Sequence, residues 1–159
     1  MNQKPMAVIL MGSPSDQPHA DRIANALKQM QIETVQRVSS AHKTPRHLLQ
    51  TLSDFEQNLR PKVYITIAGR SNALSGMVDA NVRAPVIACP PPSASFEIAD
   101  LFSSLRMPSG VAPMVVLDPE NAALAAAKIL GLASEDIAQS VTRQQKAQRD
   151  RLLKSDKGS

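Results

Sequence analysis

At 159 residues the chain has the length of one ordinary domain, enough to bury roughly two-thirds of the surface its unfolded form exposes without disulfide or metal staples. Cys89 is the single cysteine, which excludes an intrachain disulfide and the paired Cys/His spacing of a zinc site, and points to a reducing, cytoplasmic setting. The net charge of +4 is confined to the tail: residues 1–142 hold 12 Lys/Arg and 12 Asp/Glu, and with aromatics at 3% and no Trp the neutral body excludes a nucleic-acid partner.

Ala7-Val8-Ile9-Leu10-Met11 is a continuous apolar run without alternation, the pattern of a strand covered on both faces. The run from Met6 is too short for a secretory core and leads into Gly-Ser-Pro-Ser rather than a cleavage pattern, and no other stretch is long enough for a bilayer, so no membrane partner is expected. Ala20, Ile23, Ala24, Leu27 and Met30 then recur at helical spacing. The alternation repeats with a strand over Glu33–Val38, a helix from Pro45 to about Leu59, a strand over Val63–Ala68 and a short helical or looped stretch. A strand over Val86–Cys89, a helix from near Phe96 to Leu105, a strand over Met114–Leu117 and a helix over Pro119–Leu130 complete it.

Thr44-Pro45 and Asp118-Pro119 each set a capping side chain before a proline at the first helical position, and Gly131 reads as a C-cap. Residues Glu135 to Leu153 form a last polar helix without a strand of its own; such an arm packs on a neighbouring subunit, which favours an oligomer. Five strand–helix alternations predict an α/β fold: a three-layer αβα sandwich with a doubly wound parallel sheet, flavodoxin-like, plus a C-terminal helical arm. One domain spans residues 1–159, with its core over about 6–132 and the C-terminal helix over about 134–154.

Three polar segments each follow one of the first three strands: Gly12-Ser13-Pro14-Ser15-Asp16, Ser39-Ser40-Ala41-His42-Lys43-Thr44-Pro45 and Gly69-Arg70-Ser71-Asn72. In a parallel sheet these segments converge at one edge, where helix N-termini point and ligands bind. The first lacks the G-x-G-x-x-G spacing of a dinucleotide site and the lysine of a P-loop, so neither NAD nor ATP is indicated. Ser13 can donate to a phosphate at the helix N-terminus and Asp16 can accept from sugar hydroxyls; the alternative is that Ser15 or Asp16 merely caps the helix.

His42 and Lys43 precede a helix start, so the imidazole can exchange protons near neutral pH and the ammonium can pair with a phosphate. A lone surface histidine is often inert, but small neighbours here leave room for a ligand. Gly69 and Gly76 bracket the third segment, letting backbone N–H groups approach a small molecule, although turn chemistry accounts for Gly and Asn equally well. Cys89-Pro90-Pro91-Pro92-Ser93 is a stiff loop suited to a site wall or a subunit contact, with Cys89 a small buried apolar residue rather than a nucleophile.

Taken together, Gly-Ser-x-Ser-Asp, Ser-Ala-His-Lys-Thr-Pro and the later Met107-Pro108-Ser109-Gly110 resemble the phosphoribosylaminoimidazole carboxylase family of purine biosynthesis, from about Val8 to Leu132. The mutase branch of that family typically shows Ser-Ala-His-Arg-Thr-Pro and Gly-Gly-Ala-Ala-His-Leu-Pro-Gly. Here Lys43 stands for the Arg and Ala73 for the second His, so the chain is more similar to the CO2-using (class II, animal-like) branch, the carboxylase half of a bifunctional animal enzyme. The resemblance implies reversible carboxylation of 5-aminoimidazole ribonucleotide by dissolved CO2, with no cofactor: no ATP, biotin or metal. It also implies a homo-octamer or homotetramer. By the same resemblance Ser13, Asp16, Ser40 and Lys43 bind the substrate's phosphoribosyl group, His42 carries the proton, and Gly69, Arg70, Ser71 and Asn72 line a CO2 pocket. The competing readings are the mutase reaction on the same scaffold and a non-catalytic phosphometabolite-binding domain.

Overall fold

The computed structural model describes residues 3–92 and 97–156. Ser93 and the expected helix start at Phe96 lie outside the described residues. Among those described, the strands are β1 (Met6–Met11), β2 (Glu33–Val38), β3 (Lys62–Ile67), β4 (Val86–Ala88) and β5 (Met114–Val115). The helices are α1 (Gln17–Gln29), α2 (Pro45–Gln57), α3 (Ala73–Asp79), α4 (Glu97–Leu105), α5 (Pro119–Gly131) and α6 (Glu135–Asp156), with a short 3-10 turn over Pro14–Asp16. The sheet order is β2-β1-β3-β4-β5 and every pairing is parallel, the doubly wound sandwich expected from the alternation.

Period-2 alternation divides the core cleanly. Ala7, Ile9 and Met11 of β1, with Val63, Ile65 and Ile67 of β3, face α1, α5 and the start of α6. Met6, Val8, Leu10 and Tyr64 face Leu48 and Leu52 of α2 and Leu74 and Val78 of α3. Both central strands are covered on both faces and buried along their whole lengths: β1 is apolar throughout, and β3 alternates Val63, Ile65 and Ile67 with the buried Lys62, Tyr64 and Thr66. Edge strand β2 is half-exposed and correspondingly polar, with Gln36 bonded to Gln17 at 2.6 Å.

Register places the site. Met11 pairs with both Val38 and Ile67, so β1, β2 and β3 end level, and β1 is the point where the chain switches from one half of the sheet to the other. Ladder bonds continue past the strands: Gly12 N–H donates to the Ile67 carbonyl at 2.8 Å, and Ser39 N–H to that of Met11 at 2.8 Å. The loops therefore leave the edge side by side.

Two expected caps have other work. Asp118 caps α5 as expected, its Oδ1 accepting from Asn121 N–H at 2.8 Å. Thr44 does not cap α2; its hydroxyl turns back, accepting from Ser40 N–H at 3.0 Å and donating to the Ser40 carbonyl at 3.2 Å. Gly131 is not a left-handed C-cap either, since it ends α5 in helical conformation and Leu132 takes the cap position at φ −65°. A Cβ on Gly131 would stand 3.3 Å from the backbone of Ala138, so its role is to let α5 and α6 touch. The arm is held there by Ile137, Ser140 and Val141, whereas Leu152 and Leu153 at its far end are exposed.

Gly131→Val is therefore expected to cost about 1–3 kcal/mol by overpacking. Hydrogen exchange should show the loss concentrated in α6; protection of α6 equal to wild type would remove this contact from the account.

Candidate active site

The three loops enclose a crevice of about 700 Å³ at the carboxyl edge of the sheet, within the size range of small-molecule sites. Ser13, Asp16, Ser40, His42, Lys43, Gly69, Arg70 and Ser71 all line it, so eight of the nine residues expected there meet in space. Asn72 is the exception.

The first wall is a closed turn. Asp16 Oδ2 accepts from Ser13 N–H at 3.0 Å while Ser13 Oγ accepts from Ser15 N–H at 3.3 Å, a reciprocal cap that fixes both side chains. Capping and ligand contact are thus not exclusive: Ser13 and Asp16 stabilise the turn and still face the crevice, and the cap is Ser13 rather than Ser15. Burial pushes the Asp16 carboxyl above the usual carboxylate range, with the Ser13 N–H and the nearby His19 acting in the opposite sense.

Ser40 to Thr44 forms the second wall. Thr44 N–H donates to the Ser40 carbonyl at 2.9 Å and Lys43 N–H to Ser40 Oγ at 3.2 Å. These bonds tie the loop to itself, so His42 and Lys43 project from a rigid turn with exposed, unencumbered side chains. Leu48 anchors the following helix in the core beneath them.

The third wall is strained and braced. Arg70 adopts φ 57°, a left-handed conformation that costs a non-glycine residue about 1–2 kcal/mol. Ser103 Oγ accepts from Asn72 N–H at 2.9 Å, and its single proton is shared between the carbonyls of Asp100 at 2.7 Å and Arg70 at 3.1 Å. Asn72 itself is buried, its Oδ1 capping α3 through Ser75 N–H at 3.1 Å and its Nδ2 donating to Ser104 Oγ at 2.8 Å. It supports the loop from behind and does not line the crevice. Gly76 also lies away from the crevice: a Cβ there would sit 3.1 Å from Met107 Sδ, so this glycine seats Met107.

Asp100 from α4, Leu74 from α3 and the pair Pro91 and Pro92 complete the lining. The proline wall was legible from its composition. Asp100 and the bracing pair Ser103 and Ser104 were not, because no local spacing marks a helix that reaches the site only through packing. Cys89 is fully buried, and burial pushes its thiol up to about 12, so it stays protonated and is no nucleophile. Among the described residues no three His, Cys, Asp or Glu side chains converge as a metal-binding group, and no helix is long and apolar enough to cross a membrane.

Comparison with known proteins gives the family and the fold. A sequence profile of the family described as AIR carboxylase matches residues 6–151. The phosphoribosylaminoimidazole carboxylase of Treponema denticola is 52% identical over 153 residues, covering 96% of each chain. The human bifunctional phosphoribosylaminoimidazole carboxylase/phosphoribosylaminoimidazole succinocarboxamide synthetase is 42% identical over 80% of this chain, which spans 30% of that longer protein. The crystal structure of Treponema denticola PurE superposes with a TM-score of 0.94 over 96% of this chain and 97% of that one. With its carboxyl-edge crevice and a profile match over nearly its whole length, the chain belongs to the AIR carboxylase family of enzymes.

Proposed function

We propose that the chain catalyses the reversible carboxylation of 5-aminoimidazole ribonucleotide by CO2, giving 4-carboxy-5-aminoimidazole ribonucleotide without ATP or biotin. The observation that carries this reading is the convergence of His42, Lys43, the Ser13/Asp16 turn and the Gly69–Ser71 loop on one crevice. The Gly-Arg-Ser-Asn segment, with Ala73 where a mutase would carry histidine, supports CO2 rather than an N5-carboxylated ribonucleotide as the carboxyl donor.

Lys43 and Ser13, at the edge where helix N-termini present N–H groups, take the phosphate; Asp16 accepts from the ribose hydroxyls, and Ser40 holds the Lys43 backbone in place. These contacts are remote from the reacting carbon, so their binding energy goes into orienting the ring. Carbon 4 of the aminoimidazole is enamine-like. Its π pair forms the new C–C bond to CO2 while one C=O π pair moves onto oxygen as the carboxylate develops. Ser71 Oγ and the backbone N–H groups of the Gly69–Ser71 loop stand ready to donate to that oxygen. His42 then takes the proton from carbon 4, aromaticity returns, and the exposed side chain passes the proton to water. The exposed Leu152 and Leu153 support assembly into a homo-oligomer.

The deciding assay incubates the protein with aminoimidazole ribonucleotide and CO2 in the absence of ATP and follows the carboxylated product. Turnover supports the carboxylase; activity only with the N5-carboxylated ribonucleotide would make the chain a mutase. His42→Asn is expected to lose ~10²-fold or more in kcat with ribonucleotide binding nearly intact. Equal rates in variant and wild type would take His42 out of the mechanism and favour a binding domain.

Lys43→Met removes a charge-assisted contact worth about 1.5–3 kcal/mol, so KM for the ribonucleotide should rise roughly tenfold or more. Added ribose 5-phosphate should inhibit wild type more strongly than this variant; equal inhibition would move the phosphate elsewhere.

A further inference from the structure

Behind the crevice lies a second cavity of about 520 Å³, which shares Gly69, Pro91, Pro92 and Asp100 with the first. The proline wall stands between the two. Pro90, Pro91 and Pro92 have no N–H groups, so that stretch of backbone cannot be tied down by its own donors. The last N–H before it belongs to Cys89 and donates to the Thr66 carbonyl at 2.9 Å. The last side chain before it is the Cys89 thiol, which donates toward the Leu117 carbonyl at 3.6 Å and meets His19 Nε2 at 3.3 Å.

A thiol has one proton to give. With that proton directed to Leu117, Cys89 Sγ is left to accept, and the contact then requires the His19 tautomer that carries its proton on Nε2. Burial, with Arg22 nearby, holds the His19 imidazole below its ordinary pKa, while a hydrogen bond to the Cys89 backbone and the Asp16 and Glu120 carboxylates act in the opposite sense; the balance favours the uncharged ring. His19 sits in the first turn of α1, three residues beyond Asp16, and is itself buried. The His19–Cys89 contact therefore joins the helix that carries the Ser13/Asp16 wall to the strand end that carries the proline wall.

We propose that His19 is a positioning residue of the reaction: its Nε2–H, held on Cys89, sets the separation between the sugar-phosphate wall on α1 and the proline wall backing the CO2 pocket. The assignment rests on the carboxylase-family reaction proposed above. It does not depend on which carboxyl donor is used, because both readings share the 4-carboxylated ribonucleotide.

The test follows consumption of 4-carboxy-5-aminoimidazole ribonucleotide by the full chain. A glutamine amide nitrogen can occupy the position of His Nε2, whereas an asparagine amide nitrogen reaches only that of Nδ1. His19→Gln should therefore keep kcat within about threefold, and His19→Asn and His19→Leu should lose about tenfold or more with KM changed by less than about threefold, since misplacement by about 1 Å costs up to 10² in rate while each wall still binds. Cys89→Ala should reproduce the loss, and Cys89→Ala combined with His19→Leu should be no worse than either alone.

Should His19→Leu fail to fold, the Gln and Asn variants decide between themselves. Equal kcat for the two, or losses that follow denaturation midpoints instead of the donor position, would make His19 a packing residue and overturn the proposal. Wild type inert toward the compound would remove the reaction and this assignment with it; an active wild type beside an unchanged His19→Asn removes His19 alone.

Discussion

The site depends on one constraint: β1 must end level with both of its neighbours. Its register against β2 and β3, extended by the Gly12 to Ile67 and Ser39 to Met11 backbone bonds, brings three loops far apart in sequence to a single edge. A slip of one residue in a parallel pair would turn every side chain of that strand to the opposite face. β1 is apolar on both faces, so burial alone would tolerate such a slip there, whereas β3 sets Val63, Ile65 and Ile67 on one face and Lys62, Tyr64 and Thr66 on the other. The sharper determinant for β1 is the fit of its side chains between α1 and α5 on one face and α2 and α3 on the other.

The two edges of the sheet divide labour. At the amino edge Glu56 accepts from the hydroxyl of the buried Tyr64 at 2.9 Å, with the buried Lys62 ammonium at 4.0 Å and the exposed Arg83 Nε at 3.6 Å, a polar hub that satisfies the Tyr64 hydroxyl out of reach of water. At the carboxyl edge His42, Lys43, Arg70 and Ser71 are left exposed on braced loops. Polar side chains at the amino edge are thus paired with one another, whereas among the described residues those of His42 and Lys43 stand free on a turn tied by the bonds of Ser40 and Thr44.

Bracing also explains how strain is held at Arg70. Its left-handed backbone persists because Ser103 bonds its carbonyl and Asn72 locks the next turn through α3 and Ser104. One helix that contributes a single lining side chain, Asp100, thereby shapes the Gly69–Ser71 wall of the crevice. The His19–Cys89 contact has the same logic on the opposite side of the crevice, since both place a wall from behind.

Alternating apolar runs and amphipathic stripes determined the strand and helix order, the parallel sheet and the edge at which the polar segments gather. These are local consequences of side-chain period and of proline and capping chemistry, and they needed no partner in space. Ser13, Asp16, His42 and Lys43 were legible for the same reason, each falling directly between a strand and a helix. Only the folded chain decided that Asn72 turns inward to brace, that Gly131 and Gly76 serve close packing, that Thr44 closes its own loop, that Asp100 reaches the crevice from α4, and that Ser103 and His19 bear on its walls from behind. The Asn72, Ser103 and His19 contacts join segments 31 to 70 residues apart, and the Thr44 and Gly131 contacts, though local, depend on how a turn closes; periodicity and spacing along one chain encode neither.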